Sequence, residues 1–182
     1  MAEASASMQH TEATIRLLSR TQYRVFCFGR RAVQALCGLI LILLSLRGQG
    51  SIMTVLCLFA GCWLCMNTDV PAKVRAGKVI DSMQGRFPLT RYTFDGEAFT
   101  LIAGDKQERI AYTSLIRLVE DDAYLYLYIS KLSAYMVDKA TASPDVQTIR
   151  RLVGDGSGLR WTRPTSLVNF SLRTLLARRR HS

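Results

Sequence analysis

At 182 residues the chain has room for one compact domain with appendages and excludes a pair of sizeable domains. Its apolar share of 49% is ordinary, but 24 Lys and Arg against 14 Asp and Glu give a net charge of +10. Residues 1–86 carry ten basic against four acidic side chains, residues 87–154 eight against nine, and residues 155–182 six against one. A nucleic-acid-binding domain concentrates positive charge on its folded part; here the middle is close to neutral, so no nucleic-acid partner is expected.

Residues 1–22 are rich in Ala, Ser and Thr and contain no apolar run. They read as a polar N-terminal tail and lack the pattern of a secretory signal. Tyr23 to Arg31 interleaves aromatics with Arg24, Arg30 and Arg31, which suits a headgroup zone. Two apolar runs follow, Ala32 to Leu46 and Ser51 to Met66, separated by Arg47-Gly48-Gln49-Gly50. No charged residue interrupts either run, so neither has the polar face of a soluble amphipathic helix. Residues 23–70 therefore read as a transmembrane helical hairpin, with spans at about 30–47 and 51–69.

Each run is short of the roughly 20 residues that cross a bilayer, and flanking arginines that reach for the headgroups can absorb the deficit. Arg16, Arg20, Arg24, Arg30 and Arg31 precede the first run, Lys73, Arg75, Lys78 and Arg86 follow the second, and only Arg47 lies between. The positive-inside rule then places both termini in the cytoplasm, in a multi-pass protein of the inner (cytoplasmic) membrane. All five cysteines, Cys27, Cys37, Cys57, Cys62 and Cys65, fall in or just before the hairpin. Cys62-x-x-Cys65 has no His nearby and no second pair, so these thiols read as small apolar side chains.

Residues 71–86 form a basic connector, helical over about Lys73 to Met83. From Phe87 the pattern changes to short alternating strands separated by turn signals. Strands are expected at Leu89 to Phe94, Ala98 to Ala103, Gln107 to Tyr112, Leu115 to Glu120, Ala123 to Ile129 and Ala134 to Val137. Asp95-Gly96, Gly104-Asp105 and Asp121-Asp122 supply turns. Ser143 is expected to cap a helix with Pro144 in its first turn, ending at Gly154. Residues 87–154 thus read as a small α+β domain, a partly open antiparallel barrel with one C-terminal capping helix, as in pleckstrin-homology-like (PH-like) domains. Residues 155–182 read as a flexible linker and a basic amphipathic tail.

Tyr92-Thr93-Phe94 before Phe99, then Ile110-x-Tyr112-x-x-Leu115-x-x-Leu118-Val119-Glu120, then Tyr126-Leu127-Tyr128-Ile129-Ser130-Lys131 and Ala134-Tyr135-Met136-Val137-Asp138-Lys139, resemble the YcxB-like bacterial membrane proteins. The resemblance covers about Tyr23 to Val153. It implies two N-terminal spans followed by a cytoplasmic PH-like domain, and it implies no activity. The chain departs from the family at Tyr112, where Trp is frequent, and at Asp138, where Pro is.

The two histidines, His10 and His181, both lie outside the expected domain, and neither a nucleophile elbow nor a phosphate loop is present. An enzyme is not expected, nor any catalytic, cofactor-binding or metal-ligating residue. Glu120-Asp121-Asp122 reads as a solvated turn. Tyr124, Tyr126 and Tyr128, at a period of two, share one strand face; they read first as side chains packing across a half-exposed strand, and as the alternative form a candidate interaction surface for peptide or headgroup. Arg173, Arg178, Arg179 and Arg180 in the tail are candidate contacts to anionic lipid. The expected function is display of the PH-like domain at the membrane for protein or lipid contact, with the bilayer's anionic headgroups and an unidentified membrane or cytoplasmic protein as partners. The alternative is an accessory subunit of a membrane enzyme or transporter, with a basic nucleic-acid-binding protein as a weaker third reading that the neutral middle disfavours.

Overall fold

The computed structural model describes residues 3–47 and 52–164. The chain divides into two compact units, Met1–Thr14 with Met83–Ser182, and Ile15–Ser82.

In the first unit, β1 (Ala4–Gln9), β2 (Leu89–Phe94), β3 (Ala98–Ala103) and β4 (Lys106–Ala111) pair in that order as an antiparallel sheet. A second sheet runs β7 (Ala134–Asp138), β6 (Tyr124–Tyr128), β5 (Arg117–Glu120) and β8 (Trp161–Thr162), with β8 parallel to β5 and the other pairs antiparallel. The turns are built as their residues dictate. Asp95 Oδ1 accepts from the Glu97 and Ala98 amides at 2.9 and 2.7 Å, bonds that hold its carboxyl below the usual range. Gly104 takes φ +59°, a conformation that glycine adopts without steric cost.

Residues 1–22, expected as a tail, instead contribute β1. Ala4, Ala6 and Met8 are buried on one face, and the strand pairs in register from Ala4 opposite Phe94 to Gln9 opposite Leu89. The period-two pattern is present but two of its three buried positions are alanines, and the paired residues, from Ala4 with Phe94 to Gln9 with Leu89, are far apart in the chain. His10, just beyond it, is half-buried, and burial pushes its imidazole below its ordinary pKa. The sheet core is aromatic: Tyr92, Phe94, Phe99 and Tyr112 are buried, and Tyr135 meets Phe99 edge-on at 5.4 Å between centroids.

α5 (Val146–Ser157) presents Ile149 and Val153, one turn apart, to the core. Its cap is Asp145, which accepts from the Thr148 amide at 2.6 Å, and not Ser143. Ser143 pairs with Ser5 of β1 through both backbone bonds, at 2.7 and 2.8 Å. The helix also continues past Gly154 to a left-handed cap at Gly158, so the expected linker is partly helix. β8 follows: Trp161 Nε1 donates to the Arg150 carbonyl at 3.0 Å, and Thr162 Oγ1 to that of Leu118 at 2.9 Å. Gly156 lets the helix approach the Tyr112 ring, which a Cβ there would strike. Gly156→Ala is therefore expected to destabilise by about 1–2 kcal/mol despite its gain in helix propensity, read as a lowered denaturation midpoint.

The second unit is helical: α1 (Glu12–Phe26), which begins in the first unit, then α2 (Phe28–Arg47), α3 (Ile52–Met66) and most of α4 (Val70–Met83). α2 and α3 pack antiparallel. Gln34 Nε2 donates to the Leu64 carbonyl at 3.2 Å, Cys65 Sγ lies 3.8 Å from the Ala35 carbonyl, and Gly38 meets Gly61 where the backbones come closest. A Cβ at Gly61 would sit 2.7 Å from the Gly38 carbonyl oxygen and 2.8 Å from Ile42. Gly61→Ala should push the helices apart and cost about 1–3 kcal/mol, seen as a lowered melting temperature in detergent. α3 stops at Met66, short of the expected span end at 69, and α4 departs after Asn67–Asp69 at a bend of 48°. Pro71, lacking an amide hydrogen, fits the first turn of α4.

Candidate functional site

The tyrosine row does not form an open platform. Tyr126 and Tyr128 are fully buried, Tyr124 is half-buried, and Leu125 and Leu127 on the opposite side are buried as well. β6 is a central strand covered on both faces, and the Tyr126 hydroxyl donates to Asp121 Oδ2 at 2.6 Å. The acidic turn is likewise engaged rather than simply solvated. Glu120 meets Arg150 at 3.1 Å and Lys139 at 3.5 Å, while Asp121 Oδ1 accepts from the amides of Ala123 and Tyr124. Arg173, Arg178, Arg179 and Arg180 lie outside the described residues.

What the sequence reading missed lies at the end of the hairpin where α2 begins and α3 has just ended. Asp69 receives three guanidinium groups: Arg20 at 2.9 Å, Arg31 at 3.0 Å and Arg24 at 3.5 Å. The positions follow from helix geometry. Arg20 and Arg24, four residues apart, share one face of α1; Arg31 sits in the first turn of α2. Burial is graded: the side chains of Arg31, Arg24 and Arg20 are 5%, 24% and 54% exposed, and that of Asp69 15%.

One carboxylate facing three cations leaves two positive charges without a local counterpart. Arg31 Nε and Nη1, Arg24 Nε, Tyr23 Oη and Asp69 Oδ1 are buried and have no hydrogen-bond partner among the described residues. Burial, followed by repulsion from Arg20, pushes the Arg24 guanidinium below its ordinary pKa. The available signal was Asp69 itself, the one acidic residue between Glu12 and Asp81, directly after an apolar run.

The hairpin carries a second feature. Val33, Leu36, Leu43, Leu44, Phe59 and Trp63 are each more than half exposed, and most exposed large apolar side chains among the described residues lie on α2 and α3. Phe28–Arg47 is long and apolar enough to cross a membrane, with 17% of its most apolar stretch buried. α3 meets that test only together with α4, as a bent pair. Cys62 is exposed, Cys65 faces α2, and no cluster of metal-ligating side chains occurs among the described residues.

Among known proteins, the model of the YcxB-like protein family matches residues 94–147. The matched segment runs from the last residue of β2 through β3–β7 to the first turn of α5. It is less than a third of the chain, shorter than the expected Tyr23 to Val153, and includes none of α1–α4. No curated protein matches the chain.

Proposed function

With residues 94–147 as a YcxB-like segment, we propose that the chain is an integral membrane protein whose α2–α3 hairpin anchors a small PH-like domain for contact with protein or lipid at the membrane surface. The observation that carries this reading is the apolar surface left open on both helices. Removing one Leu, Ile or Phe side chain from water is worth about 1.5–3 kcal/mol. Soluble monomers rarely leave apolar patches beyond a few hundred Å² uncovered, and hydrocarbon is the solvent that suits these side chains.

Strand pairing limits the number of crossings. β1 and β2 are neighbours in one sheet, yet α1–α4 lie between them in the chain. A single crossing would strand β1 and β2 on opposite sides of a bilayer. Two crossings return the chain to the side it left, so the pairing favours α2 and α3 as a two-span anchor over α2 alone. At about 1.5 Å per residue, α2 matches a hydrocarbon layer of about 30 Å, whereas α3 is shorter and implies local thinning. The arginines and lysines flanking the hairpin favour a cytoplasmic domain with both termini cytoplasmic. A four-stranded antiparallel sheet, a second sheet built on the β5–β7 meander with β8 at its edge, and a closing helix form the layout that supports the PH-like reading.

Fractionation tests the anchor. The full chain should stay in the membrane pellet through high salt and alkaline carbonate and leave with detergent; release without detergent refutes an integral anchor. A reporter active only in the cytoplasm, fused to the C-terminus, should be active, and a silent, intact fusion reverses the orientation.

A further inference from the structure

We propose that Arg20, Arg24 and Arg31 form a phosphate-binding site at the open end of the helical hairpin, with Asp69 holding the three guanidinium groups together. Three guanidinium groups converging within 3.5 Å of one carboxylate form a cationic cradle whose charge that carboxylate only partly balances. Nε and Nη1 of Arg31 and Nε of Arg24 are buried donors without partners, and Asp69 Oδ1, 3.0 Å from Arg31 Nη2, is itself without a hydrogen bond, so Asp69 offsets the charge of the cluster without meeting its inner donors. Buried guanidinium N–H groups are costly to leave unmet. The acceptor chemistry that suits several planar forks at once is a phosphate, with oxygens enough for each arginine to bind in parallel pairs.

Access is graded in the same order as burial. Arg20 is the exposed rim, Arg24 lies between, and Arg31 is the floor. The site therefore takes its anion from the Arg20 side, and the side chains shift to bring the inner donors to it. The phosphate has two sources, a lipid headgroup or free inorganic phosphate. The headgroup source rests on the membrane reading above, because the open end of an embedded hairpin lies at the level of the phosphate layer. The free-anion source does not.

The test uses the full chain in a neutral detergent, followed by thermal unfolding. Four additions are compared: phosphatidic acid, phosphatidylglycerol, phosphatidylcholine and inorganic phosphate. Anionic lipid or inorganic phosphate should raise the unfolding midpoint in a concentration-dependent way, because a ligand bound only by the folded state stabilises it. A shift with lipid alone assigns the headgroup, a shift with inorganic phosphate alone assigns the free anion, and a shift with both assigns the shared phosphate group. Arg20→Gln with Arg24→Gln should weaken binding roughly tenfold or more. Because Arg20 is exposed and Arg24 partly so, Arg20→Gln alone serves as the milder second variant and should weaken it less.

No shift with any anion overturns the site, as does a double variant that responds like the parent chain, since the same salt acts on both. A chain that leaves the membrane in salt yet is stabilised by inorganic phosphate would keep the site and retire the membrane reading. A chain that stays in the membrane and responds to no anion would do the reverse.

Discussion

Asp69→Ala is expected to be the most damaging single substitution in the helical unit, at roughly 3–5 kcal/mol. Its carboxylate is the partner of three arginines, and Arg31, 5% exposed, cannot turn to solvent when that partner goes. Arg20 contributes little to the loss, because it is 54% exposed and exposed ion pairs are worth at most about 1 kcal/mol. The cost falls on Arg31 and on the largely covered Arg24. Chemical or thermal unfolding of the full chain in detergent reads it. Replacing Arg31 by Met in the same chain should recover a substantial part, since an apolar side chain of similar length removes the stranded charge. A loss below about 1 kcal/mol would instead show that the cluster behaves as a set of surface ion pairs. Phosphate should stabilise Asp69→Ala more than the parent chain, because the anion then meets the three arginines without competition.

How much of this was legible from residues alone depended on how far each pattern had to reach. β2–β7 came through because alternation and turn chemistry are local: Asp95-Gly96 and Gly104-Asp105 sit where the chain reverses. β1 did not, because Ala4, Ala6 and Met8 make a weak apolar signal and the strand they pair with follows four helices. The depth at which the tyrosine row lies was not legible for another reason. Period two assigns faces but says nothing about what covers them, and the unbroken apolar run Ala-Tyr-Leu-Tyr-Leu-Tyr-Ile was itself the mark of a strand buried on both sides. Gly156 read as a linker residue, whereas the Tyr112 ring demands a glycine there inside α5. Arg24 and Arg31 read singly as headgroup contacts, and Arg20 as part of the charge count that sets orientation. Their convergence on Asp69 depends on a turn after α3 that no local spacing encodes.

Replacing residues 10–88 with a short Asn-Gly turn should release a soluble, folded form of the first unit. Gln9 lies directly opposite Leu89 in an antiparallel pair, so the strand ends need only the about two to five residues of a hairpin connection. The excised segment holds α1–α4 and with them most of the exposed large apolar side chains, while both sheets and α5 keep their strands and core. The contrasting chain, residues 87–182 without β1, should aggregate or unfold without a cooperative transition. It lacks Met8, whose side chain is buried in the parent, and loses the partner of the β2 edge, which is left open for pairing with other chains. Deleting Met8 to Ala alone would cost about 2–5 kcal/mol in a core of this kind, so losing the whole strand exceeds what a small domain can absorb. Solubility, gel-filtration volume and a denaturant curve on the two chains decide the matter. If the chain without β1 folds as well as the turn-linked one, then β1 is dispensable and the strand-pairing argument for two crossings loses its force. If the turn-linked chain still partitions with membranes through high salt, the hairpin is not the only anchor.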